Sequence, residues 1–176
     1  MSTITLKKLD HGVCRLVIDS GKGNPLTPAF VNDLNQHLLG LSSSPPRALI
    51  IDTDGASIFG GGFALPIIAS WKREELWAFF NRFMEGVHRI LHLACPTITV
   101  VDGHAIAGGF IFSLASDFRV VRNEGIMSAA AAASDAWRGE VSTGRSHPSL
   151  VHSARWRRLF ARRAHQRDLG AGSLAP

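Results

Sequence analysis

Cysteine is scarce in this chain and long apolar runs are missing. Only Cys14 and Cys95 occur in 176 residues, both in strand-like or apolar surroundings. That excludes a disulfide framework and points to reduced core thiols. No stretch approaches the roughly 18 apolar residues a membrane span needs, and the first residues form no apolar signal core. Leu174-Ala175-Pro176 is no peroxisomal address, so a cytoplasmic location is expected. Metal ligands are also wanting. His88 and His92 have the i, i+4 spacing of a helical ligand pair, but no glutamate pattern or third ligand accompanies them. A surface pair is expected, with no metal and no separate cofactor.

The residues that are present suit one domain, with 45% hydrophobic content to build a core. Ile4 to Leu9 and Val13 to Ile18 read as strands joined at His11-Gly12. Thr27 reads as an N-cap with Pro28 behind it, opening a helix whose Phe30, Leu34, Leu38 and Leu41 share a face. Ser42 to Pro46 ends it, and Ala48 to Ile51 is a strand. Trp71 to Leu93 reads as a long amphipathic helix with Leu76, Phe79, Phe80, Phe83, Val87, Ile90 and Leu91 inward. Pro96 stops it before strands at Thr97 to Val101 and Phe118 to Val121. Alternating strands and helices predict a parallel or mixed α/β layout.

Two glycine-rich turns stand out against this background. Val100-Val-Asp-Gly-His-Ala-Ile-Ala-Gly-Gly109 runs from a β-branched strand into a short apolar helix reaching about Ala115. Upstream, Phe59-Gly-Gly-Gly-Phe-Ala-Leu65 follows the Arg47 to Asp52 strand and a polar loop. Glycines at such junctions allow close backbone approach, and a helix start leaves N–H groups unpaired. Those donors suit an oxygen that gains negative charge during a reaction. A lone glycine run reads more simply as a flexible loop. Two such turns could place two N–H groups on one carbonyl oxygen.

Gly103 to Arg119 (GHAIAGGFIFSLASDFR) resembles the signature of the crotonase superfamily, the enoyl-CoA hydratases and isomerases. Ile58 to Leu65 resembles that family's first oxyanion segment, and Asn24-Pro-Leu-Thr27 its early N-x-L turn. The likeness runs from about Ile4 to Met127 in the right order. It implies an α/β spiral of ββα units that binds an acyl-CoA thioester, with coenzyme A as part of the substrate. The implied oxyanion donors are the backbone N–H groups of Phe63 and Gly108. The CoA moiety would lie along backbone around Leu26, Gly61 and Gly62. The family forms trimers, so a homo-oligomer is possible, although the family's C-terminal helical region is missing here or replaced.

The family's acid–base groups do not match. The glutamate three residues after the oxyanion glycine is Ile111 here, and the second falls at Ala131. Neither side chain can move a proton. Ala64 replaces a usual aspartate, and Phe63 is bulky where a small residue is common, which narrows the neighbouring pocket. Two-glutamate hydration is not expected. The string from Gly103 and the later Gly125-Ile-Met-Ser128 are more like the isomerase branches, in which one carboxylate shifts a double bond beside a thioester. The alternative is an inactive, truncated relative that binds CoA weakly or pairs with full-length subunits. Glu85 is a candidate acid–base group by its helix, though a solvated face is the simpler reading. His104 is expected to support its turn, and Asp117 to hold a loop. Asp102, Glu124 and Asp135 show no evident partner.

Lysine disappears after Lys72, and past Met127 the composition shifts. Residues 1–127 hold 11 Lys/Arg and 11 Asp/Glu; residues 128–176 hold 8 Arg, no Lys and 3 acids. The net charge of +5 therefore resides in the tail. The expected organisation is a crotonase-like core, 1–127, and an Ala/Arg-rich basic tail of uncertain structure, 128–176, as a frameshift, an alternative exon or a misplaced gene end would produce. Arg155 to Arg163 could form a basic helix with Trp156 and Phe160 on one face. Nucleic acid and membrane are nonetheless not the expected partners, because no fold signature accompanies the run.

Overall fold

The computed structural model describes residues 2–122, 127–128 and 149–152, the last six of these (128 and 149–152 included) by backbone except at Met127. Ala131, Glu124, Asp135 and the basic run 155–163 lie outside the described residues.

Strands β1 (Ile4–Lys8) and β2 (Val13–Ile18) form an antiparallel hairpin in register from Ile4↔Ile18 to Lys8↔Cys14. The reversal passes through His11 and Gly12 at φ 58° and 75°. Helix α1 (Pro28–Ser43) starts where Thr27 accepts the Phe30 N–H at 3.1 Å, as its N-cap pattern predicts. It returns the chain to β3 (Ala48–Asp52), parallel to β2. Next come β4 (Ile58–Gly60), α2 (Leu65–Ile68) and α3 (Arg73–His92). Strand β5 (Thr97–Val101) lies parallel to β3, followed by β6 (His104–Ile106) and α4 (Gly108–Ser113). Strand β7 (Phe118–Val121) is parallel to β5, and β8 is Met127–Ser128. Strand β9 (Ser149–His152), within the segment expected as tail, runs antiparallel to β7.

The main sheet has the order β1-β2-β3-β5-β7-β9, and a second sheet the order β4-β6-β8. Each of β3, β5 and β7 thus hands over to a short strand of the second sheet before the chain moves on. That is the expected spiral of ββα turns. Its consequence is positional: parallel pairing of β4 with β6 sets the two glycine turns that follow them side by side.

The core lies between the main sheet and the α1/α3 pair. Leu16, Leu34, Leu38, Leu49, Phe83 and Ile90 are at most 1% exposed. Gly86 permits the helix contact, since a Cβ there would sit 2.9 Å from Leu34 Cδ2. The long helix begins at Arg73 rather than Trp71, where the Lys72 N–H donates to Glu75 Oε2 at 2.8 Å. Leu91, expected inward, is 36% exposed. Phe79, Phe83, Val87 and Ile90 already form the buried stripe, and the next residue after Ile90 turns about 100° away from it. Cys14 and Cys95 are buried free thiols, and burial, with help from Asp117 and Cys14, pushes the Cys95 thiol up to about 11. Asp117 does hold a junction. Its Oδ2 accepts the Thr97 N–H at 3.0 Å and hydroxyl at 2.7 Å, and its own N–H donates to Thr97 Oγ1 at 2.9 Å.

Candidate functional site

Asn24 anchors the first wall of the site. It is 5% exposed at φ 42°, a left-handed conformation that asparagine tolerates better than most residues. Its Oδ1 accepts the Ser20 N–H at 2.9 Å, and its Nδ2 donates to Ile58 O at 2.9 Å. The loop after β2 is thereby fastened to β4. Gly61 N–H adds a bond to Gly23 O at 3.0 Å. Leu26 and Phe63 then form a parallel bridge: the Leu26 N–H donates to Gly62 O at 2.8 Å, and the Ala64 N–H to Leu26 O at 3.3 Å. Because bonds of a parallel ladder come from alternate residues, the Phe63 N–H faces away from Leu26.

The second wall is the turn into α4. Ala107 precedes that helix at φ 49° and ψ −118°, a conformation L-residues with a Cβ seldom adopt. Glycine is needed where the walls meet. A Cβ on Gly60 would lie 2.8 Å from Gly109 Cα, and one on Gly109 would strike the Gly60 carbonyl. A Cβ on Gly62 would lie 3.6 Å from Gly108 N. A Cβ on Gly108 would meet Leu26 Cδ1 at 2.8 Å and the Phe63 ring at 3.0 Å. The five residues singled out from sequence (Leu26, Gly61, Gly62, Phe63 and Gly108) therefore share one locality. Among the described residues, neither the Phe63 N–H nor the Gly108 N–H donates to a protein acceptor. The Leu26 and Gly61 N–H groups, by contrast, are already used within the fold.

Arg119 steadies the far end of α4. Its Nη1, 7% exposed as a residue, donates to Ser116 O at 2.8 Å and Leu114 O at 3.3 Å. A cation at a helix C-terminus is favourable, although burial lowers the pKa of this one. Ile111, where the resemblance implies a glutamate, is 41% exposed on α4. Glu85 offers no substitute. Its carboxylate lies between Arg89 at 2.5 Å and Arg82 at 2.8 Å, and those hydrogen bonds, Arg89 first, hold its pKa below the usual range. His92 Nδ1 lies 2.9 Å from His88 O, and no group of three potential metal ligands occurs among the described residues. Asp102 has a distant neighbour, Arg122 Nη2 at 4.0 Å.

A cavity of about 570 Å³ opens beside the Asn24 loop, lined by Asp19, Lys22, Asn24, Thr53, Asp54 and Ser57. The buried Thr53 hydroxyl in its wall has no partner among the described residues. A larger cavity, about 1120 Å³, lies between the hairpin and the end of α1 and touches neither glycine turn. Sequence reasoning missed the strained Ala107 and the Asn24 fastening. The Asn-Pro dipeptide marked a turn, but nothing local tells which strand its amide will reach.

Known proteins resemble about two thirds of this chain. The family model for enoyl-CoA hydratase/isomerase matches residues 8–134. Human mitochondrial methylglutaconyl-CoA hydratase is 29% identical over 124 residues, covering 69% of this chain and 37% of that protein. Carnitinyl-CoA dehydratase from Citrobacter koseri is 29% identical over 112 residues, covering 62% and 42%. The chain thus spans about two fifths of the length of these curated relatives. Enoyl-CoA hydratase from Bacillus anthracis superposes with a TM-score of 0.64 over 68% of this chain and 47% of its own, at 23% identity, a likeness of fold alone. A ββα spiral with two abutting glycine turns, matched by that model over most of its length, makes this chain a member of the enoyl-CoA hydratase/isomerase family.

Proposed function

We propose that the chain binds an acyl-CoA thioester and draws electron density onto its carbonyl oxygen through the Phe63 and Gly108 N–H groups. The observation behind this reading is that two backbone amides with no acceptor among the described residues lie on abutting turns. As a base takes the α-proton, the electron pair of that C–H bond shifts into the carbonyl, and the two donors stabilise the negative charge that collects on the enolate oxygen. Loss of one such donor typically costs 10²- to 10³-fold in rate. The polar CoA portion would run along the Gly61 edge toward the cavity holding Lys22 and Thr53. The reaction closest to this set of residues is a double-bond shift, with the proton carried by a group other than the two usual glutamates.

A second reading has its own support: a catalytically silent relative that binds CoA weakly or pairs with longer subunits. Ile111 cannot take a proton, and Glu85 is engaged by two arginines. One experiment separates the two. Calorimetry with butyryl-CoA measures binding, and mass spectrometry in D₂O measures exchange of its α-protons. Binding with exchange supports the enzyme, binding without exchange the silent relative. Absence of binding defeats the enzyme and leaves the silent relative only as a subunit partner, which co-purification with a longer family member would support and its failure would exclude.

A further inference from the structure

We propose that the Phe63 ring sets the size of the acyl group, confining the site to short-chain acyl-CoA thioesters; this rests on the thioester reading above. The ring reaches from one donor residue to the other. The position of a Cβ on Gly108 lies 3.0 Å from Phe63 Cε2 and 3.2 Å from Cζ, so the ring covers the start of α4. On its other sides the ring is gripped by α3. Phe80, Phe83 and Phe79 stand edge-to-face to it, with centroids at 4.9, 5.1 and 5.7 Å. Trp71 in turn stands edge-to-face to Phe79 at 5.6 Å. Rings interlocked in this way prefer one mutual geometry and hold Phe63 in its rotamer.

Polarity decides which part of the ligand meets the ring. Gly61 is exposed, and its edge leads to the polar loop around Lys22, the side suited to the CoA moiety. Phe63 is half-buried and points the other way, into the apolar α3 face. A thioester carbonyl between the two amides therefore has its CoA sulfur on the polar side and its acyl carbons against the ring. A long chain must displace a ring held by three others, or run out over exposed Ile111 and Leu114.

The test is calorimetry on the full chain with acetyl-, butyryl-, octanoyl- and dodecanoyl-CoA. The wild-type protein should bind butyryl-CoA at least about 10-fold more tightly than octanoyl-CoA, a ratio in the range that pocket shape supplies. Phe63→Ala should abolish or invert that ratio, which a merely structural loss would not do because it weakens all four ligands alike. Phe63→Leu, a milder cut, should move it part of the way and serves if the alanine variant does not fold by circular dichroism. Equal affinity of the wild type for butyryl- and octanoyl-CoA overturns the proposal while leaving the thioester site standing. Failure of wild type and both variants to bind any of the four overturns both.

Discussion

Ala107 holds a backbone conformation that residues with a Cβ seldom adopt, at φ 49° and ψ −118°. It turns the chain from β6 into α4 and so fixes where the Gly108 N–H points. Strain of this kind costs about 1–3 kcal/mol and persists only where the surroundings enforce it. Ala107→Gly should relieve it, raising the free energy of unfolding in urea by about 1 kcal/mol after glycine's added chain entropy. A loss of stability would mean that the alanine methyl contributes packing worth more than the strain. Cys95 gives a prediction in pH. Its thiol is raised from 9.0 to about 11, chiefly by burial. Below pH 9 both native and unfolded thiols are protonated and the stability contribution is intact. As pH rises from 9 toward 11 the unfolded thiol ionises while the native one does not, so stability falls over that window. Cys95→Ser should flatten that part of the stability-against-pH curve, and iodoacetamide should label the native thiol slowly at pH 8.

At the scale of elements, the decisive contact is between β4 and the start of α4. Backbone meets backbone there, so no side chain can yield. Gly109→Ala should force the two apart, costing about 1–3 kcal/mol as overpacking does and shifting the urea midpoint downward. An unchanged midpoint would show that the turns have room to separate. The individual elements were legible from the sequence. Periodicity marked β1 and β2, the Thr27 cap marked α1, and the apolar spacing marked α3, with an expected range two residues early at its start, one late at its end, and Leu91 counted inward. The short second-sheet strands were not. Three residues, Ile58–Gly60 or His104–Ile106, carry too little period to be read locally, and their pairing exists only between segments far apart in the chain.

At the scale of the molecule, the candidate site is an assembly of backbone beside which no general base stands out among the described residues. Ile111→Glu tests this. The position is 41% exposed, so a carboxylate there keeps most of its hydration. If the two amides hold a thioester, adding a general base should speed α-proton exchange of butyryl-CoA by about 10²- to 10⁴-fold. Exchange no faster than in the wild type, with binding retained, would mean that the carbonyl is not seated between the amides. The family likeness, the two glycine turns and the presence of isoleucine at 111, where the resemblance implies a glutamate, could be read from the chain alone, because each is written in neighbouring residues. Folding alone reveals that Gly60 abuts Gly109, that Asn24 fastens its loop to Ile58, and that Phe63 sits among three rings of α3. Those contacts join residues distant in the chain, and parallel strand pairing, which no local pattern encodes, brings them together.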